Sequence, residues 1–191
     1  DIASAQSVLM DWGLTAATSF LDKVHGLDVA ILTKFSRRPW WMLRRLAAFV
    51  SHSGDGHLYG IITLVIFLTQ AAGSTKFLLA GLIAFSIELP VYFFLKKKVG
   101  RPRPKDTMVG VNVWIVPSDQ FSFPSGHTAA AFLMATLLAA FFPSLTTWVF
   151  SWAVMIGLSR LLLTVHFPTD ILAGALLGLL AANLGLSFTS P

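Results

Sequence analysis

The sequence contains no cysteine and little charge. Without cysteine its 191 residues can form no disulfide bond, and cysteine usage gives no indication of the redox compartment. Only 12% of the residues are charged, about half of the roughly 25% that is usual in soluble domains. Hydrophobic residues make up 55% of the chain. These proportions exclude an ordinary soluble domain and predict an integral membrane protein.

The basic residues are clustered. The net charge is +5, and six of the 14 lysines and arginines lie between Lys23 and Arg45. Six more lie between Lys96 and Lys105. We interpret these clusters as contacts to lipid headgroups and to phosphate groups, and no nucleic-acid partner is predicted.

Five apolar stretches are long enough, or nearly so, to cross the roughly 30 Å hydrocarbon core of a bilayer. Short turns join them on one side, whereas the long segment 96–125 and the loop 166–168 lie on the other side, which we call the working face. The predicted fold class is all-α, a polytopic membrane helical bundle with about five or six spans. The five stretches are His57–Ala72, Lys76–Leu95, Thr128–Phe142, Leu145–Val165 and Thr169–Phe188.

Residues 1–56 are predicted to form an amphipathic, interfacial segment that precedes a transmembrane catalytic core at 57–191. In the stretch 37–50, paired arginines flank two tryptophans, which is typical of a helix lying in the headgroup layer. A poor sixth span is the alternative for this stretch. For 5–21 we slightly favour a short or tilted span over an interfacial helix.

Three groups of polar residues lie at the ends of different spans on the working face. The basic run 96–105 offers Lys96 and Arg103, which can bind phosphate oxygens, although such a run can also simply anchor a span. The tetrapeptide PSGH at 124–127 begins a helix, where free backbone N–H groups form an anion site. The alternative for this tetrapeptide is a helix cap with an incidental histidine, His127.

The third group, SRLLLTVHFPTD at 159–170, holds Arg160, His166 and Asp170. A carboxylate four residues from a histidine can keep one imidazole nitrogen protonated and leave the other free to attack. A polar loop that only caps the next helix is one alternative, and a zinc site is another. The neighbouring basic residues disfavour a bound cation. The combined groups therefore favour phosphoryl transfer through a phosphohistidine, with no metal ion or other cofactor.

These residues resemble the three signatures of the type 2 phosphatidic acid phosphatase superfamily, in order and at full spacing. Each signature is weak alone, but three in series on one face of a membrane bundle are specific. The first, Lys-x6-Arg-Pro, matches Lys96, Arg103 and Pro104; the second, Pro-Ser-Gly-His, matches Pro124, Ser125, Gly126 and His127; the third, Ser-Arg-x5-His-x3-Asp, matches Ser159, Arg160, His166 and Asp170.

The resemblance implies a role for each matching residue. His166 would be the nucleophile, Asp170 would orient and polarise it, and His127 would protonate the leaving group. The phosphate-binding residues that it implies are Lys96, Arg103, Ser125, Gly126 and Arg160. Glu88, inside a span, is interpreted as a structural or supporting residue. Asp55 and His52 could lie at the edge of the site, but we interpret them as solvated loop residues.

The resemblance also implies a lipid phosphatase that acts on undecaprenyl diphosphate, phosphatidylglycerophosphate, phosphatidic acid or lipid A. One alternative is transfer of the phosphate to another lipid. Another is a vanadium-dependent haloperoxidase, which shares the motifs but is mostly soluble. A non-catalytic scaffold or transporter would need no pair of histidines. The oligomeric state is left open.

The expected location is a bacterial inner membrane, in which the protein crosses the bilayer several times. Counting lysines and arginines places the working face in the cytoplasm. Bacterial members of the family commonly act on the outer face, and many charges at 96–105 belong to the site. The Lys23–Arg45 cluster is independent of the site and supports the cytoplasmic face if 37–50 lies in the interface. On the resemblance alone we favour the periplasmic, outer face.

Overall fold

The structure is a computed structural model that describes residues 22–36, 40–70, 72–111, 114–117 and 119–189. The predicted span at 5–21, and residues 37–39 of the predicted interfacial stretch, lie outside the described residues.

Regular secondary structure in the described ranges is entirely helical, which confirms the all-α prediction. Helix α1 comprises the described residues 22–36. The helices that follow are α2 (Trp41–His52), α3 (Gly56–Leu68), α4 (Ser74–Val99), the short α5 (Pro104–Thr107), α6 (Gly126–Phe141), α7 (Thr146–Leu162) and α8 (Pro168–Ser187), with a 3-10 turn at Pro143–Leu145 before α7.

A helix lies at each of the five predicted spans, but only three of these helices are long enough to cross a membrane. By length and composition, three helical stretches could cross a membrane: Ser74–Thr107, Pro143–Leu162 and Pro168–Ser187. Helices α3 and α6 are also apolar but have only 13 and 16 residues. They correspond to the predicted stretches His57–Ala72 and Thr128–Phe142, which are also shorter than the roughly 20 residues of a full span.

Helix α2 has 12 residues, fewer than the roughly 20 that a span requires. It buries Arg44, Ala47 and Ser51, and exposes large apolar side chains on the other face: Trp41, Met42, Leu46 and Phe49. This pattern suits a helix that rests in the interface, as its sequence predicted.

Two helices end at residues other than the ends of the predicted apolar stretches, and both ends lie at the site. Helix α4 runs to Val99, past the predicted end at Leu95, so Lys96 lies in its last turn. The helix ends at Gly100, whose φ of +58° is the left-handed conformation common at helix ends. Helix α7 ends at Leu162 and leaves His166 in a loop.

Helix α6 lies at the centre of the bundle and packs against α4, α7 and α8. Its contact with α8 is close because α8 presents glycines. A Cβ atom at Gly174 would overlap the carbonyl oxygen of Ser125, and one at Gly178 would overlap that of Ala129. Small residues of this kind let two membrane helices approach closely. The approach holds the Ser125 N–H 3.0 Å from the carbonyl oxygen of Asp170, which joins two of the three polar groups.

Candidate active site

The three polar groups surround one cavity of about 1160 Å³ on the working face. Helix α4 supplies Lys96 from its last turn, and the segment after α4 supplies Arg103. Helix α6 supplies His127 from its first turn, and the end of α7 with the loop after it supplies Arg160 and His166. All five side chains line the cavity. The sequence therefore predicted correctly that these groups come together.

His166 is buried, with 2% of its surface exposed. Its Nδ1 atom lies 3.8 Å from Oδ2 of Asp170, which is beyond hydrogen-bonding distance, and it has no partner among the described residues. The predicted pair is therefore adjacent but not hydrogen-bonded. Burial lowers the pKa of the His166 imidazole to about 4, and the charges of Arg160 and Arg103 lower it against the pull of the Asp170 carboxylate. The imidazole is therefore neutral at pH 7, as a nucleophile must be.

The Asp170 carboxylate is fully buried and held by other donors. Its Oδ2 accepts a hydrogen bond of 2.8 Å from the backbone N–H of Phe167. Its Oδ1 accepts one of 2.8 Å from the Arg101 guanidinium. Both oxygens are thus fixed beside the imidazole of His166 before any substrate binds.

His127 has a carboxylate partner that the sequence did not assign to it. Its Nε2 atom lies 2.7 Å from Oδ1 of Asp55, and the other oxygen of Asp55 lies 2.6 Å from Nδ1 of His52. The interpretation of Asp55 as a solvated loop residue is therefore wrong. Asp55 comes directly before α3, and a short loop after α2 brings it to the start of α6. Burial and the charge of Arg160 lower the pKa of His127 to about 4 and outweigh Asp55, which favours the protonated form. A bound phosphate anion would favour the protonated form further.

Lys96 and Arg103 are buried and share a carboxylate, Asp119, from the long segment before PSGH. The Lys96 amine lies 2.6 Å from Oδ2 of Asp119, and Arg103 donates to Oδ1 and to its backbone oxygen. The Tyr92 hydroxyl, 2.6 Å from the Lys96 amine, donates to Oδ2 at 2.9 Å. Burial raises the pKa of Asp119, but the hydrogen bonds and charges of Lys96 and Arg103 outweigh it and lower the pKa to about 2.

Arg160 and Arg103 are anchored near the histidines. Arg160 donates to the hydroxyl of Ser51 at the end of α2, and its Nε atom has no partner among the described residues. Arg103 also donates to the carbonyl oxygen of Val165 at 2.7 Å, directly before His166. Both guanidinium groups are thus held beside the imidazole, where an anion would bind.

Ser125 and Gly126 have different surroundings. Ser125 is fully buried, and its hydroxyl lies 2.9 Å from the hydroxyl of Thr128, within the same helix start. Gly126 lines the cavity, and a Cβ atom there would lie 3.0 Å from the Tyr92 ring. The predicted role of both in phosphate binding stays a prediction. The close neighbour that requires a glycine at position 126 is the Tyr92 ring.

Beyond the polar end, the cavity has an apolar wall formed by α3 and α4. Glu88, 2% exposed, also lines the cavity. Within the described ranges, no group of three or more His, Asp or Glu side chains could hold a metal ion. The apolar lining includes Leu64, Phe67, Leu78, Leu82 and Phe85.

Comparison with known proteins identifies relatives of this chain. Residues 71–190 match the PAP2 superfamily. A decaprenylphosphoryl-5-phosphoribose phosphatase of Mycobacterium tuberculosis is 33% identical over 78% of this chain and 81% of that protein. The bacitracin transport permease protein BcrC of Bacillus licheniformis is 32% identical over 67% of this chain and 63% of that protein.

A solved structure is also similar. The crystal structure of a transmembrane PAP2 type phosphatidylglycerolphosphate phosphatase from Bacillus subtilis has a TM-score of 0.69 and 27% identity. The match covers 87% of this chain and 86% of the other. Together with the apolar helices, this match confirms the prediction of a membrane protein with several spans.

Proposed function

This chain belongs to the PAP2 superfamily, a resemblance that its three motifs predicted, and we propose that it hydrolyses a terminal phosphate of a membrane-embedded lipid phosphomonoester or diphosphate through a phosphohistidine. That it is a phosphatase of lipids follows from its phosphatase relatives. The observation that carries the finer proposal is the shared cavity, in which two histidines face three buried cations.

In the first proposed step, His166 attacks the phosphorus atom and the bond to the leaving oxygen breaks. Because Nδ1 of His166 lies toward Asp170, the attacking atom is Nε2. His127, held by Asp55, donates a proton to the leaving oxygen. The buried cations around the site neutralise the charge that spreads over the three other phosphate oxygens.

In the second step, a water molecule attacks the phosphohistidine. His127, now deprotonated, accepts a proton from this water, and the bond between phosphorus and Nε2 breaks. Inorganic phosphate leaves and both histidines return to their starting states. In this proposed cycle His127 and water carry the protons, and the buried cations stabilise the phosphate charge that a metal ion would otherwise neutralise.

The apolar wall of the cavity supports a lipid as the substrate. The phosphate would bind among the cations at the working face, while the lipid tail follows α3 and α4 toward the hydrocarbon core. The M. tuberculosis relative is named for a polyprenyl lipid and the B. subtilis structure for a phosphatidylglycerol phosphate. Both classes belong in the test, with the site expected on the outer face of a bacterial inner membrane.

The test is phosphate release by the purified protein in detergent with a chelator present. The substrates are undecaprenyl diphosphate, phosphatidylglycerophosphate, phosphatidic acid and lipid A, and His166→Ala is the inactive control. We expect release from at least one substrate, and a phosphate-labelled protein on rapid quenching. Loss of activity with the chelator would contradict the metal-free mechanism. Phosphate that appears on an acceptor lipid, with none released, would show a transferase.

A further inference from the structure

A charged cluster behind the active site joins α1 to the catalytic carboxylate. Arg101 donates from one guanidinium nitrogen to Oδ1 of Asp170 and to the hydroxyl of Thr169, both at 2.8 Å. Its other terminal nitrogen lies 2.7 Å from Oδ2 of Asp28 in α1 and 3.1 Å from Nδ1 of His25. One guanidinium group therefore connects an N-terminal helix to the first turn of α8.

The charges in this cluster are shielded from water. Asp28 is 1% exposed and Asp170 is fully buried, while 17% of the Arg101 side chain is exposed. Asp28 also accepts hydrogen bonds from the backbone N–H of Thr169, at 3.0 Å, and from its hydroxyl. Buried carboxylates require such partners, because an unpaired buried charge is strongly destabilising. The two carboxylates thus share one cation, Arg101, and the backbone N–H groups of Phe167 and Thr169 supply further donors.

The plane of the guanidinium group is fixed as well as its hydrogen bonds. Its central carbon lies 4.1 Å from the centre of the Phe167 ring. The edge of that ring contacts His25 of α1. Phe167 directly follows His166 and donates its backbone N–H to the second oxygen of Asp170. The same residues that hold Arg101 therefore also set the orientation of the carboxylate toward the imidazole.

We propose that Arg101 is a positioning residue that fixes Asp170 beside His166, and that Asp28 of α1 in turn holds Arg101. Neither residue belongs to the three motifs, and Asp28 lies outside the matched region 71–190. The inference rests on the proposed function, since it assumes that Asp170 assists His166. By occupying Oδ1, Arg101 leaves Oδ2 facing Nδ1 of His166, where it can stabilise the imidazole once that group carries the phosphoryl.

The test is a double-mutant cycle on the full chain in detergent, which measures kcat and KM for the best lipid substrate. We expect Arg101→Met to lower kcat roughly 10- to 100-fold, the usual effect of removing a partner behind a reactive group. KM should change less than about threefold. Arg101→Lys should recover only part of the loss, because an ammonium group cannot donate as a planar fork.

The decisive comparison is in the Asp170→Asn background. If Arg101 acts through Asp170, adding Arg101→Met to Asp170→Asn should lower kcat by less than a further factor of about two. The proposal would be overturned if the two substitutions lowered kcat by the product of their separate factors, or if Arg101→Met changed only KM. Lys98→Met is the matched control, since Lys98 is an exposed cation of the same basic run, and it should leave kcat unchanged.

Asp28→Asn tests the contribution of α1 and retains the volume of the side chain. It should lower kcat in the parent protein but add little to Arg101→Met; full additivity would remove Asp28 from the proposal. If Arg101→Met does not fold, Asp28→Asn in the Asp170→Asn background supplies the same cycle. Besides Arg101, the charged or titratable groups near Asp170 are His166 and Lys96, and neither is substituted in these variants.

A second readout separates this inference from the proposed function. The chain has five histidines, so the imidazole nitrogen resonances of His166 can be followed by NMR in micelles and assigned by His166→Gln. Arg101→Met should shift them, and Lys98→Met should not. If the parent protein releases no phosphate but the shift occurs, the proposed function fails and the positioning role stands. If activity is present and neither kcat nor the resonances respond, the positioning role fails alone.

Discussion

Replacement of Asp119 by asparagine should tighten the binding of phosphate-like anions. In the structure its carboxylate forms ion pairs with Lys96 and Arg103, the two cations that the substrate phosphate is expected to contact. A bound phosphate must therefore displace Asp119 or share its partners. Asparagine keeps the size and can still accept hydrogen bonds, but it lacks the charge that competes with the phosphate.

The magnitude follows from the hydrogen bonds that Asp119 makes. A hydrogen bond to a charged group contributes about 1.5–3 kcal/mol and a neutral one about 0.5–1.5 kcal/mol, so loss of the charge weakens each by about 1 kcal/mol. With two cationic partners the sum is about 2 kcal/mol. The side chain is 35% exposed, and solvent screening reduces the sum to about 1 kcal/mol. The expected gain in affinity is therefore about fivefold.

The assay is inhibition of phosphate release by vanadate, a phosphate mimic, with thermal stabilisation by inorganic phosphate as a measurement that needs no lipid. Asp106→Asn is the matched control, because Asp106 is an exposed carboxylate three residues after Arg103. It should leave the vanadate affinity unchanged. An unchanged or weaker affinity in Asp119→Asn would refute the reasoning, since it would mean that Asp119 does not compete with the anion.

Three further predictions use other features of the structure. Because the pKa of His166 is lowered to about 4, protonation of this nucleophile should lower kcat only as the pH falls toward 4. A fall in kcat near pH 6.5 that is due to protonation of His166 would contradict this. Gly178→Ala should lower the free energy of unfolding by about 1–3 kcal/mol, because the new Cβ would overlap the carbonyl of Ala129. The control Gly60→Ala has open space around the new Cβ and should not lower it. Chemical denaturation of both variants measures the difference. Since the chain has no cysteine, Lys98→Cys gives a single thiol on the working face. We expect a membrane-impermeant maleimide to label it from outside intact cells. Arg44, Arg101 and Arg103 are hydrogen-bonded within the protein, so we count them little among the charges that set the topology. Labelling only after lysis would place the site in the cytoplasm.

The motif residues could be predicted from the sequence because their positions follow from membrane topology. Each motif lies at the end of an apolar stretch, and alternating turns bring those ends to one face. Lys96 and His166 were therefore placed on the correct face even though two helices end at residues other than the ends of the predicted apolar stretches. The difference at Lys96 arose because an apolar count stops at the first charge, whereas the helix continues until Gly100.

The carboxylate partners could not be predicted in this way. Asp119 lies in a segment without regular periodicity, and its pairing with Lys96 depends on how that segment folds back. Asp55 looked solvated because glycines flank it in the sequence, and only the approach of α3 to α6 reveals its contact with His127. Asp28 and Arg101 meet across 73 positions of the chain. Long-range ion pairs leave no periodic signal in a single sequence.

The two histidines are distinguished by their distance from a carboxylate, and this distance supports their order of action. Asp55 lies 2.7 Å from Nε2 of His127 and so orients that imidazole, and the proton for the leaving oxygen would come from Nδ1. Asp170 is 3.8 Å from His166, beyond hydrogen-bonding distance, and burial, together with the charges of Arg160 and Arg103, keeps that imidazole neutral. Once His166 has taken the phosphoryl group it becomes positively charged, and a small movement toward Asp170 would form the missing hydrogen bond. Burial lowers the pKa of both imidazoles to about 4, so the proposed order of action rests on these contacts and not on a difference in pKa.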